Sequence, residues 1–235
     1  MKPYIGEFLG MAMLILMGNS GNCTAKLQKS HGYGAGNLEI MFGWALAVMI
    51  PGYIFGNISG AHFNPVISMA KALVGDFAWS MVPGYIVAQI AGALCGQLLV
   101  VALFKDHFLA SEEGDLRFGC FATSASIPNF PRNLLSEIVG TTVLVLASLA
   151  AGTLELVPGL GSVYTFCLIA GIGMSFTGLT GYAINPARDL GPRIAYALCK
   201  SVRGKDTPRW SYLPVPICGP IIGGLVGTGL YVLLF

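Results

Sequence analysis

The chain has 235 residues, of which 54 % are hydrophobic, only 10 % are charged and 32 are glycine, and its formal net charge is +2. Soluble domains carry about 25 % charged residues, so this composition excludes a disordered chain and argues against a soluble globular enzyme. The small net charge and the lack of a basic tract argue against nucleic-acid binding.

No Asp, Glu, Lys or Arg occurs in 8–25, 40–70, 77–104, 138–154, 156–187 or 210–235. A helix needs roughly 20 apolar residues to cross the hydrocarbon core, so these stretches read as a polytopic helical membrane protein. The first span falls at about 4–25. A cleaved signal peptide over Met1 to Ala25 is the other reading, but similar segments follow and the small-residue cleavage pattern is weak. The second span, about 39–57, lies in a charge-free stretch, 40–70, that is too long for one crossing and too short for two. Its far end reads SGAHFNPVISMAKAL, in which Asn64 suits an N-cap and Pro65 the first helical position. The stretch therefore divides into a full span, an irregular segment and a half-helix at about 65–74. A third span at about 82–104 closes the first repeat, 1–104, and 105–132 is the longest polar connection. The second repeat, about 133–235, opens with spans at 133–151 and 159–177. The stretch 156–187 has the same excess length and runs into LTGYAINPARDLGPRI, placing a half-helix at about 186–198 behind Asn185. The last span is 213–235.

Unwound backbone is tolerated at membrane depth only where it is buried in protein or lines a water-filled path. Two interrupted segments in corresponding places point to a transport site at the midplane of an inverted repeat. GEFLGMAMLI and SGAHFNPV in the first half match SEIVGTTVLV and TGYAINPA in the second, setting Glu7 against Glu137 and Asn64 against Asn185. An odd number of spans per half inverts one half relative to the other, so the half-helices enter from opposite faces and their N-termini meet near the middle. The expected fold is an all-α membrane protein, with six transmembrane helices and two re-entrant half-helices forming one channel domain over 1–235. Gly6/Gly10, Gly92/Gly96 and Gly223/Gly227 are small-xxx-small pairs, which permit close helix contact or are generic membrane glycines. Cys23, Cys95, Cys120, Cys167, Cys199 and Cys218 form no CxxC pair, and His31, His62 and His107 are not at metal spacing. No metal site, cofactor motif, nucleotide-binding glycine motif or catalytic constellation is legible.

Two Asn-Pro half-helices on an inverted repeat resemble the major intrinsic proteins, the aquaporins and glycerol facilitators, over essentially the whole chain. The first motif, Asn64-Pro65-Val66, departs from the family's usual Asn-Pro-Ala, whereas Asn185-Pro186-Ala187 is regular. Val66 is expected to add bulk near the midpoint. The run Asn185 to Asp189, with Arg193 and the Pro216-Ile217 pair, is similar to the glycerol-facilitator branch. That resemblance implies a selectivity filter of Trp44, Gly173, Tyr182 and Arg188, with a His in water-specific members where Gly173 stands. Tyr182 replaces the commoner Phe and is expected to add a hydroxyl to the wall. The resemblance also implies a homotetramer with one pore per subunit and both termini in the cytoplasm. Only Lys2 and Lys71 of the 13 basic residues would then lie on the cytoplasmic side, so the positive-inside rule favours the opposite orientation. The short termini point to a bacterial-type plasma membrane.

Asn64 and Asn185 would each cap a half-helix and offer their remaining amide N–H donors to the pore. The two helix N-termini would place partial positive charge at the centre, opposing cations and protons. The plainer reading is two ordinary capped turns. Arg188 reads as a donor pair at the constriction, or as an ion-pair partner of Asp189 or a headgroup contact. Trp44 and Tyr182 read as an apolar corner, or as interfacial aromatics. Glu7 and Glu137 read as loop supports that free the carbonyls of Gly60, Ala61, His62, Gly181, Tyr182 and Ala183 for the permeant; the alternative is a proton relay. The expected function is a passive channel for glycerol and other small neutral solutes, with some water and without ions or protons. The wide corner at Gly173 and the Tyr182 hydroxyl extend the expectation to undissociated hydroxy acids such as lactic acid. The rivals are a water-selective aquaporin, against which Gly173 and Asp189 argue, and a proton-coupled secondary transporter.

Overall fold

The computed structural model describes residues 1–235 and is helical without a strand. In chain order it has α1 (Lys2–Lys26), α2 (Asn37–Ser59), a short α3 (Pro65–Leu73), α4 (Val82–Leu103), two small helices α5 (Lys105–Ala110) and α6 (Gly114–Phe118), α7 (Phe130–Ala151), α8 (Leu160–Thr180), a short α9 (Pro186–Leu198), the single turn α10 (Lys200–Arg203) and α11 (Pro214–Leu234). All the expected spans and both half-helices form, with boundaries shifted by at most one turn. Five helices, α2, α4, α7, α8 and α11, are long and apolar enough to cross a membrane. The remaining long helix, α1, has 25 residues and a more polar sequence. It carries Glu7, Asn19 and Asn22, all buried inside the bundle.

Local chemistry sets the ends. Proline stands in the first turn of α3, α4, α7, α9 and α11, where the missing N–H costs nothing. The spans α2 and α8 both stop on a glycine in the left-handed region, Gly60 (φ 80°) and Gly181 (φ 75°). Each glycine turns the chain back into the bundle, towards α3 or α9.

The two halves pack by the same device. A Cβ on Gly92 of α4 would lie 2.2 Å from the Phe8 carbonyl oxygen of α1, and one on Gly96 would lie 2.3 Å from that of Ala12. In the second half, a Cβ on Gly223 of α11 would lie 2.3 Å from the Ile138 carbonyl of α7, and one on Gly227 2.8 Å from that of Thr142. At these crossings backbone lies directly on backbone, which membrane helices achieve only with small residues. Helix α2 packs on α8, while α3 and α9 are held within the bundle against α4 and α11.

The segment 105–132 differs from the polar connection expected of it. Helices α5 and α6 fold it into a cap, and Phe108, Phe118, Cys120 and Phe121 are fully buried there with Tyr196 and Val202. Charge then decorates this apolar centre. Arg209 pairs with Asp115 and Asp206, and its guanidinium lies 4.3 Å from the Phe118 ring centroid. Burial pushes the Asp206 carboxyl up, but the Tyr196 hydroxyl, the Thr207 N–H and Arg209 outweigh it and hold the group below the usual carboxylate range.

Candidate functional site

The two half-helices begin alike. The Asn64 side-chain oxygen accepts from the Val66 N–H (3.0 Å), and that of Asn185 accepts from the N–H groups of Ala187 (3.1 Å) and Arg188 (3.2 Å). Each amide then crosses to the other loop. Asn64 Nδ2 donates to the Ile184 carbonyl (2.9 Å), and Asn185 Nδ2 donates to the Phe63 carbonyl (2.7 Å). Each acceptor is the residue just before the opposite cap. One amide hydrogen per Asn is thus used across the junction, and the other has no partner in the chain.

Between each glycine and each cap the backbone alternates. Ala61, Phe63, Tyr182 and Ile184 all have positive φ, between 39° and 49°. Residues with a Cβ rarely adopt this region and hold it only where the surroundings enforce it. The enforcement comes from the two buried carboxylates. Glu7 accepts from the N–H groups of His62 (2.9 Å) and Phe63 (2.7 Å), from the Ser59 hydroxyl (2.7 Å) and from Gln89 Nε2 (2.7 Å). Glu137 accepts from the N–H groups of Ala183 (2.9 Å) and Ile184 (2.8 Å) and from the Thr180 hydroxyl (2.6 Å). The carbonyls of Gly60, Ala61, His62, Gly181, Tyr182 and Ala183 receive no hydrogen bond from the chain.

A cavity of about 220 Å³ runs past both loops. Gly60 to Asn64 and Tyr182 to Asn185 line it, together with Trp44 and Arg188. The residues that sequence reasoning missed include the apolar Leu14, Val48, Ile67, Leu144 and Ile169. Their signal was only spacing on an apolar helix, which does not tell lumen from lipid. Lys71, at the end of α3, also lines the cavity. Each half-helix therefore contributes one cation to the wall, and no acidic side chain reaches it.

Four expectations need correction. Gly181 is not part of the lining, although its neighbour Tyr182 is. Gly173 does not line the cavity either, because Tyr182 stands in front of it: a Cβ there would lie 3.0 Å from Tyr182 Cζ and Oη and 3.3 Å from Met41 Cγ. The Tyr182 hydroxyl points into that space, is buried and has no partner, so it adds nothing polar to the lumen. Val66 turns away from the midpoint into a cluster with Ala70, Val145 and Leu149. There Gly224 receives it, since a Cβ on Gly224 would lie 2.2 Å from Val66 Cγ1. Gly224→Ala should therefore destabilise the protein by about 1–3 kcal/mol through overpacking, and Val66→Ala should relieve much of that. A double-mutant cycle on thermal unfolding in detergent tests this; additive effects would show that the two sites do not meet.

Arg188 is not the partner of Asp189. The buried Asp189 instead binds Arg193 (2.7 Å) and accepts from Thr123 N–H (2.8 Å) and hydroxyl (2.7 Å). Arg193 carries the tie onward to the Thr123 carbonyl (3.0 Å), which anchors α9 to the cap, and to the Pro208 carbonyl (2.8 Å) in the connection before α11. Arg188 lies over Trp44, 4.0 Å from the ring centroid, and makes a single long hydrogen bond to the Phe121 carbonyl (3.4 Å). Its other donors are free.

Comparison with known proteins agrees with this architecture. The family described as major intrinsic protein matches residues 1–231. The chain is 44 % identical over 235 residues, the full length of both proteins, to a probable glycerol uptake facilitator protein of Thermotoga maritima. It is 43 % identical to the glycerol uptake facilitator protein of Bacillus subtilis, over 98 % of this chain and 84 % of that one. An X-ray structure of the aquaglyceroporin from Plasmodium falciparum superimposes with a TM-score of 0.83 at 28 % identity, over 98 % of this chain and 94 % of that one.

Proposed function

The chain belongs to the major intrinsic protein family, and we propose that it is a passive channel carrying glycerol and other small neutral solutes, with some water, across a bacterial membrane. The observation that carries this reading is the lumen, in which a line of unbonded carbonyls faces a largely apolar wall. A polyol suits both sides. Its hydroxyls donate to the loop carbonyls and accept from the free N–H of Asn64, Asn185 and Arg188, while its CH groups lie on Trp44 and the aliphatic wall. Water alone requires no such wall. The half-helix N-termini, with Lys71 and Arg188, oppose cations and protons.

A proton-coupled transporter would need an acid that the permeant or bulk water can reach. Glu7 and Glu137 are almost fully inaccessible (0 % and 1 % exposed) and stand off the cavity. Their oxygens are occupied by loop donors, which supports the structural role. The proposal includes a homotetramer in the plasma membrane with one lumen per subunit and cytoplasmic termini, which rests on the resemblance alone; the particle mass in detergent would check the assembly.

Stopped-flow light scattering on proteoliposomes is the direct test. With glycerol as osmolyte the vesicles should shrink and re-swell quickly, whereas an impermeant sugar should give shrinkage alone. Fast water flux without glycerol entry would replace this reading with that of a water channel. Accumulation of solute against its gradient, driven by a pH difference, would replace it with a coupled transporter.

A further inference from the structure

Besides Gln89 and Asn133, three more amide side chains are buried outside the lumen, and these three bond to one another. They are Asn19 and Asn22 on α1 and Gln97 on α4, at 0 %, 3 % and 0 % exposure. None lines the cavity. They form one directed chain: Trp44 Nε1 donates to Asn22 Oδ1 (3.4 Å), Asn22 Nδ2 to Asn19 Oδ1 (3.0 Å), and Asn19 Nδ2 to both Gln97 Oε1 (2.5 Å) and the Phe121 carbonyl (3.0 Å). Gln97 Nε2 ends it on the Cys120 carbonyl (3.3 Å).

The sense of this chain is fixed at both ends. An indole N–H can only donate and a peptide carbonyl can only accept, so every amide between them has one permitted orientation. The Phe121 carbonyl is also the one protein acceptor of Arg188, and Arg188 in turn covers the Trp44 ring. The path Trp44, Asn22, Asn19, Phe121, Arg188 therefore closes on itself. Gly18, one turn before Asn22, completes the seat: a Cβ there would lie 2.5 Å from Trp44 Cε3, so the indole rests on the α1 backbone.

We infer that Asn19 and Asn22, supported by Gln97, are positioning residues that fix the distance between Trp44 and Arg188, and thereby set which solutes pass the constriction. The inference rests on the reading of Trp44 and Arg188 as the walls of that constriction. Apart from the Trp44 ring beneath it, the guanidinium is held by one 3.4 Å hydrogen bond. Its level in the lumen follows the Phe121 carbonyl, and the carbonyl follows Asn19.

The test compares wild type with Asn19→Leu, Asn22→Leu and the double variant in proteoliposomes, measuring water, glycerol and the four-carbon polyol erythritol. The erythritol-to-glycerol permeability ratio should rise about threefold or more in each single variant. The double should rise no further, because either substitution opens the same ring. Asn22→Ser keeps a polar atom for folding but is too short to reach both neighbours, so it reads the relay if the leucine variants do not accumulate. A role in helix association alone would lower the thermal transition and leave the ratio untouched. An unchanged ratio in a folded variant, with wild type conducting glycerol, overturns the relay and spares the channel. A wild type that excludes glycerol overturns the channel reading first.

Discussion

Gly173→Val is expected to cut glycerol permeability at least about tenfold and to leave water flux within a factor of about two. The reason lies in Tyr182. The space beside Gly173 already holds the end of the tyrosine ring, at 3.0 Å from a Cβ built there. Tyr182 cannot withdraw along the chain, because its loop is pinned at Ala183 and Ile184 by Glu137. Met41, at 3.3 Å, closes the other side. The ring has only the lumen to move into, and a ring displaced by about one methyl width obstructs a three-carbon solute before it obstructs water. Stopped-flow scattering on the same vesicles reads both fluxes. Tyr182→Phe is the companion measurement: it removes a buried hydroxyl without a partner, so it should cost neither stability nor flux and should soften the effect of Gly173→Ala. Wild-type glycerol flux through Gly173→Val would mean that Tyr182 does not bound the path.

Glu137→Leu is expected to prevent accumulation of folded protein. The substitution strips the acceptor from two buried N–H groups and one buried hydroxyl at once. An unpaired buried donor costs about 1–3 kcal/mol, so the loss is about 3 kcal/mol or more, set against the positive φ of Tyr182 and Ile184 that the carboxylate maintains. Glu7→Leu should be milder. Of the four donors that Glu7 serves, two keep another acceptor, the Ser59 hydroxyl at the Phe55 carbonyl (3.5 Å) and Gln89 Nε2 at the Ser68 hydroxyl (3.1 Å). The first loop is further supported by the Ala61 N–H on the Ser59 hydroxyl (3.2 Å) and the Tyr85 hydroxyl on the Ser59 carbonyl (2.8 Å). Folded yield and the thermal transition in detergent rank the two variants, and equal loss would contradict this asymmetry.

The broad architecture was legible because charge is so sparse. Gaps of the wrong length, each followed by an Asn-Pro pair, mark where a span must break, and matched Glu residues mark what holds the break. The alternating positive φ at Ala61, Phe63, Tyr182 and Ile184 was not legible, because none of these is a glycine and the conformation is imposed from another helix. Val66 and Gly173 were misread for a related reason. Each lies at a motif position, but the direction of a side chain, or the occupant of an empty one, depends on residues far along the chain: Gly224 for the first and Tyr182 for the second. The cap over 105–132 escaped notice because its polar residues dominate the sequence while a few aromatic residues do the packing. Asn19 and Asn22 drew no reading from the sequence, because their partners at 97 and 121 are invisible from the local sequence.

The crossed amides at Asn64 and Asn185 also bear on how such a chain is made. The first loop cannot complete its hydrogen bonding until Asn185 reaches the Phe63 carbonyl, and the second waits in the same way for Asn64. Both loops supply the wall, so an unfinished chain emerging from the ribosome has no conduit to open. On the proposed function, a nascent copy would then open no leak before both halves have met, and a truncated product would be left with unsatisfied backbone at membrane depth.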